Sequence, residues 1–140
     1  MSKLLQATCV SLFSMVALTL VGTTAMAQPY AYVANLQGNN ISVVDTRTNA
    51  VVRSVSARIS PTALATTKDG SLLVAALQAS NAIAIYRTSD MALLGTVAVG
   101  ARPVQVGITA NDQYAFVVNQ GSNSVSVVDL NSRAVVQNLG

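Results

Sequence analysis

The chain has 140 residues, a formal net charge of +3 at neutral pH, five aspartates, and no histidine, glutamate or tryptophan. Without histidine it cannot supply a Ser-His-Asp triad or a histidine-based metal site. Few charges and many Val, Ala, Ser, Thr and Asn exclude a disordered tail and point to a dense β-protein.

The first segment, "MSKLLQATCVSLFSMVALTLVGTTAMAQPY", places Lys3 before an apolar run from about Val10 to Val21 and then the small-residue stretch Ala25-Met26-Ala27. This layout predicts a signal peptide over residues 1–27, with cleavage after Ala27. The run is short and broken by Ser11, Ser14 and Thr19, which argues against a membrane span. Cys9 lies ahead of the run, badly placed for a lipid-modified cysteine. The expected location is periplasmic, secreted or cell-surface. The mature chain would then hold about 113 residues without cysteine, so no disulfide framework or thiol nucleophile is available. Losing Lys3 lowers the net charge to +2, too weak and scattered to argue by itself for nucleic acid.

The remaining chain repeats. "NISVVDTRTNAVV" (Asn40 to Val52) returns as "SVSVVDLNSRAVV" (Ser124 to Val136), and Asp45 and Asp129 are 84 residues apart, twice 42. A degraded copy, "AIAIYRTSDMALL", lies midway at Ala82 to Leu94. Asn39, Asn81 and Asn123 keep the spacing without a gap. A period of this size marks a repeat architecture.

In chain order, the first repeat predicts strands at "YAYVAN", "NISVVD" and "AVVRSVS", without an opening strand. The second predicts "PTALATT", "SLLVAAL", "NAIAIYR" and "MALLGTVAV". The third predicts "PVQVGIT", "YAFVVN", "SVSVVD" and "AVVQNL". Alternation puts Val125 and Val127 on one face and Ser124 and Ser126 on the other. Four-stranded units at a period near 42 predict an all-β fold of β-propeller blades over residues 28–140, with blade strands spanning 30–56, 61–99 and 103–139. Propellers close with about 4–8 blades, so about three blades make an incomplete ring. Two expectations follow: a truncated reading frame whose remaining blades lie elsewhere, or short chains that self-associate into a ring.

The stretches "YVAN", "FVVN", "SVVD" and "VGARPVQVGITANDQYAFVVNQGSNSVSVVDLNSRAVV" resemble the YVTN-type β-propeller repeat, whose members include surface-layer proteins, YncE-like periplasmic propellers and propellers encoded near quinoprotein dehydrogenases. The middle repeat departs from that pattern at Ala76 and Arg87, where the family has Asn and Asp. The resemblance covers almost the whole mature chain. It is specific for fold and weak for function.

Asp45, Asp69, Asp112 and Asp129 sit at turns, where a carboxylate caps backbone N–H groups; they and Asn39, Asn81 and Asn123 are expected to be structural. Asp90, in "TSDM", is expected to be solvated. The glycines form no phosphate loop, because "GNN" and "GSN" join strand to strand. Tyr30, Tyr32, Tyr114 and Phe116 share one face of second strands and suit packing between blades better than base stacking. Arg58 and Arg102 each precede a proline and an opening strand, and are the candidate ligand-binding pair at a channel mouth. No metal site, cofactor or catalytic group is expected. The leading expectation is an exported, non-catalytic binding scaffold for a protein or an anionic ligand. The alternatives are part of a propeller enzyme, lactonase-like or quinoprotein-associated, and a DNA-binding periplasmic propeller, as the resemblance allows.

Overall fold

A computed structural model describes residues 29–57 and 60–140, so the predicted signal peptide and Arg58 lie outside the described residues. Eleven described strands form three antiparallel sheets that do not close into a ring. The first sheet holds β1 (Tyr30–Asn35), β2 (Asn40–Asp45) and β3 (Ala50–Ser56). The second holds β4 (Pro61–Thr66), β5 (Leu72–Leu77), β6 (Ala82–Arg87) and β7 (Leu93–Ala98). The third holds β8 (Pro103–Ile108), β9 (Tyr114–Asn119), β10 (Ser124–Asp129) and β11 (Ala134–Leu139). Each sheet is a meander in which sequence neighbours pair. This is the architecture of an incomplete β-propeller.

The backbone repeats more faithfully than the residues. Asn39, Asn81 and Asn123 have φ of 51°, 50° and 49°; Asn49, Met91 and Arg133 have 55°, 57° and 54°. Ser60 and Arg102 match at 48° and 52°, as do Gly70 and Asp112 at 72° and 59°. A left-handed residue reverses the chain within few residues, at a cost of about 1 kcal/mol for a side chain other than Gly or Asn. Met91 and Arg133 accept that cost where Asn49 largely avoids it. Register shifts also recur, at Val43/Val44, Ile85/Tyr86 and Val127/Val128, where a bulge increases local twist.

The sheets stack face to face, and two cores fill the spaces between them. Ile41 and Val43 of the first sheet meet Leu73, Ala75, Leu77, Ala84 and Tyr86 of the second. Val74, Ile83, Ile85 and Val97 of the second meet Val106, Ala115, Val117 and Val128 of the third. The middle sheet is therefore covered on both faces. That explains why "LLVAAL" and "AIAIYR" carry no polar alternation, as in any strand buried twice.

In β10 the valines and serines take opposite faces, and the serine side is the one that packs on the second sheet, although Val127 on the other face is also buried, at 7% exposure. Ser126 is fully buried beside the second sheet, in line with Val128, whereas Val125 turns to the outer face. Phe116 and Val118 share that outer face, at 41% and 40% exposure.

Candidate functional site

The opening strands lie innermost: β4 runs beside β8, and the Thr62 hydroxyl donates to the Pro103 carbonyl at 3.0 Å. Strand ends then define two rims. One carries the loops around 36–39, 78–81 and 120–123 and the connections into β4 and β8. The other carries the remaining turns, around 46–49, 67–71, 88–91, 109–113 and 130–133.

The first rim is held by side-chain amides. Asn39 Oδ1 accepts the Ser60 N–H at 2.8 Å, and Asn81 Oδ1 accepts the Arg102 N–H at 2.9 Å. Each bond joins a loop of one sheet to the residue before the opening proline of the next, 21 positions on. The same asparagines accept backbone bonds, from Ala57 and Val99 respectively. Asn123 has the matching left-handed conformation at the third position. Replacing Asn81 with Ala should lower stability by about 1–2 kcal/mol, from a lost hydrogen bond and a strained left-handed alanine. Asn81→Gly should cost about half as much, because glycine relieves the strain and loses only the bond. Urea titration of both variants measures the difference; equal losses would remove the conformational part of this account.

All five aspartates lie on the second rim. Asp45 accepts the Arg47 N–H at 2.8 Å and pairs with its guanidinium at 3.3 Å, and these bonds hold its carboxyl below the usual carboxylate range. Asp129 accepts the Ser132 and Asn131 N–H groups at 2.8 and 2.9 Å, with the same effect. Asp69 is lowered by the Thr67 hydroxyl and then by the N–H and hydroxyl of Ser71, both within 2.9 Å. Hydrogen bonds to the ionised form cause all three depressions.

Two aspartates depart from expectation. Asp112 caps the neighbouring sheet and not its own turn: its carboxylate accepts the Lys68 N–H at 2.6 Å and the Asp69 N–H at 3.1 Å. In the repeat it replaces Gly70, and Asn111 takes the place of Asp69, accepting the Gln113 N–H at 3.2 Å. Asp90 is not simply solvated. It accepts the Ala92 N–H at 3.1 Å and pairs with Arg87 at 3.0 Å, so it caps the turn that Arg87 leaves without an aspartate.

The candidate arginines are not repeat equivalents. Arg58 stands three residues before Pro61 and Arg102 one before Pro103, so Arg58 matches Gly100 and Arg102 matches Ser60. Arg102 is exposed on the amide rim, next to the innermost strand β8, and its guanidinium has no bonded partner among the described residues. Arg58 lies outside the described residues. No group of three or more His, Cys, Asp or Glu is gathered among the described residues, and no described helix is long and apolar enough to cross a membrane.

The aromatics divide. Tyr32 packs against the first core, and partial burial, with Tyr30 beside it, raises its phenol pKa. Tyr30 and Phe116 stay more than a third exposed. Tyr114 is half-buried and bonded through its hydroxyl to Gln113 at 3.0 Å.

A polar inclusion lies beneath the amide rim. Asn119 Nδ2 donates to Ser126 Oγ at 2.9 Å and to Ser124 Oγ at 3.3 Å, and Ser126 Oγ accepts the Gly100 N–H at 3.3 Å. Asn35, Asn40 and Ser42 repeat the arrangement, with Asn35 Nδ2 at 2.6 and 2.8 Å from its partners. The 84-residue spacing of Asn35 and Asn119, and of Ser42 and Ser126, carried this signal. The middle sheet has Leu77 and Ala84 instead. Asn119 Oδ1 is buried with no hydrogen-bond partner among the described residues.

Comparison with solved structures finds the same fold in enzymes. Hydrazine synthase of Kuenenia stuttgartiensis matches with a TM-score of 0.77 and 24% identity over 80% of this chain and 32% of that one. Dihydro-heme d1 dehydrogenase NirN, in complex with DHE, matches with a TM-score of 0.71 and 14% identity over 82% of this chain and 25% of that one. The chain thus spans about a third or less of either. No curated protein matches it. A family model described as YncE-like beta-propeller matches residues 24–138, nearly the whole of the repeated region, and the chain belongs to the YncE-like β-propeller family.

Proposed function

We propose that this segment is an exported, non-catalytic propeller scaffold that takes an anionic ligand at its amide rim, with Arg102 as a contact. One observation carries the reading: the division of charge between the rims. The five aspartates all sit on the far rim, and each accepts backbone N–H bonds there. The amide rim holds Arg102 without a competing side-chain carboxylate among the described residues. A cation free of nearby carboxylates attracts anions, and a guanidinium suits carboxylate, sulfate or phosphate oxygens.

The test is titration with a short sulfated oligosaccharide at low salt. Arg102→Ala should weaken binding about fivefold, the scale of one exposed ionic contact near 1 kcal/mol. Adding Arg58→Ala should weaken it further. Binding unchanged in both variants would overturn the proposal. A second reading, a propeller segment within a larger enzyme, is supported by the names of two of the solved structures it resembles, a hydrazine synthase and a dehydrogenase.

A further inference from the structure

We propose that the cavity between the first two sheets, beside Arg53, is a binding site for a small carboxylate with an apolar body, such as an aromatic or short-chain acid. The inference is independent of the anion reading, because this cavity lies at the aspartate rim, opposite Arg102.

The cavity holds about 150 Å³ and lies inside an interface, with a described sheet on each side. Tyr30, Val43, Val52 and Arg53 line it from the first sheet. Thr88, Ser89 and Met91 line it from the turn after β6. Its cause is local sequence. At the second interface, 42 positions on, Leu72, Leu94 and Leu130 stand where Tyr30, Val52 and Thr88 stand here, and all three pack in the core. Valine and threonine are smaller than leucine, so the same sheet spacing leaves room at the first interface. Tyr30 stays 37% exposed at its edge.

The cation also changes sides. At the second interface Arg133 reaches back past Gly95 and donates to the Leu94 carbonyl at 3.0 Å. At the first, Met91 stands in the Arg133 position, and Arg53, in the Gly95 position, reaches forward to the Asp90 carbonyl at 2.6 Å. That bond uses one of the guanidinium's five N–H donors. No carboxylate pairs with Arg53 among the described residues. Asp45, opposite Tyr30 in the β1–β2 register, is already paired with Arg47 at 3.3 Å. The Ser89 and Tyr30 hydroxyls make no hydrogen bond among the described residues. Val43 and Met91, both buried, supply an apolar floor.

A planar guanidinium matches a carboxylate with two parallel bonds, and hydroxyls beside it can donate to the same oxygens. The apolar floor favours a ligand with a hydrocarbon body over a bare phosphate or sulfate. A cavity near 150 Å³ is large enough for a benzene-sized group.

The experiment titrates the purified, nitrogen-15-labelled product of the full coding sequence with benzoate, and separately with benzamide, its uncharged counterpart. Backbone amide NMR shifts are followed. Benzoate should shift the amides of Val52, Arg53 and Ser89 with a Kd of about 1 mM, the scale for so few atoms. Benzamide should bind about fivefold more weakly. Arg53→Gln should bring benzoate down to the level of benzamide, and its amide spectrum shows whether it is folded. Arg53→Lys keeps the charge without the planar fork and should fall between the two. Val52→Leu combined with Thr88→Leu installs the residues of the second interface, fills the cavity and should abolish both ligands. Arg102→Ala should leave benzoate binding unchanged, which separates this site from the amide rim. No saturable shift at these amides, shifts centred on the loops around Arg102, full benzoate affinity in both Arg53 variants, or undiminished binding to the filled variant would each overturn the proposal.

Discussion

Ile85→Ala should remove about 2–5 kcal/mol of stability, a large part of the roughly 5–15 kcal/mol a domain of this size possesses. Ile85 is fully buried in the core between the second and third sheets, beside Val74 across the β5–β6 pair. Truncation loses the transfer energy of its methyl groups and leaves a cavity between two sheets whose strands are held by hydrogen bonds. Ile85→Val removes one methylene and should cost about 0.5–1.5 kcal/mol. In a stacked repeat each sheet packs chiefly on its neighbours, so the loss belongs to one interface. Hydrogen exchange should show protection falling most in β8 to β11, with less change in β1 to β3. A loss below 1 kcal/mol for the alanine variant, or protection falling evenly along the chain, would contradict the packing described.

The second large effect is expected at Gly100, where Ala should cost about 1–3 kcal/mol through overpacking. Gly100 does not have positive φ, so its small size and not its flexibility is at stake. A Cβ there would lie 2.6 Å from the Asn119 side chain and would also collide with Ser122 Oγ. Ser122 is exposed, but its hydroxyl accepts the Ala101 N–H at 3.1 Å and bonds Ser124 Oγ at 2.8 Å, so turning it away breaks those bonds. Asn119 is 1% exposed and tied to Ser124 and Ser126, so it cannot move without breaking those bonds. Gly107, with nothing within 4 Å of an added Cβ, is the internal control: Gly107→Ala should be nearly neutral. Thermal denaturation of the two variants side by side reads the difference, and similar melting temperatures would sink the close-approach argument.

The candidate functional residues show where reading the chain alone stopped. Spacing picks out turn residues well, because a left-handed or carboxylate-capped turn restricts residue type locally. It does not say what a turn residue reaches across to. Asp112 resembles a self-capping turn aspartate, yet its carboxylate serves the neighbouring sheet 44 residues back. Asp90 resembles a solvated loop charge, yet it completes the turn where Arg87 replaces an aspartate. Arg58 and Arg102 resemble a matched pair, yet they stand at different distances from their prolines.

From its residues alone, this protein declares its period of 42, its all-β strands and its place among propeller repeats. These follow from local rules: alternation sets a strand, and left-handed or capped residues set its turns. The tertiary structure decides which face of each strand is the inside. Ser126 is buried and Phe116 is exposed because the second sheet covers one face of the third and nothing described covers the other. The middle repeat loses its alternation for the same reason. Packing between sheets joins residues some 40 positions apart, and no window of a single strand contains that information.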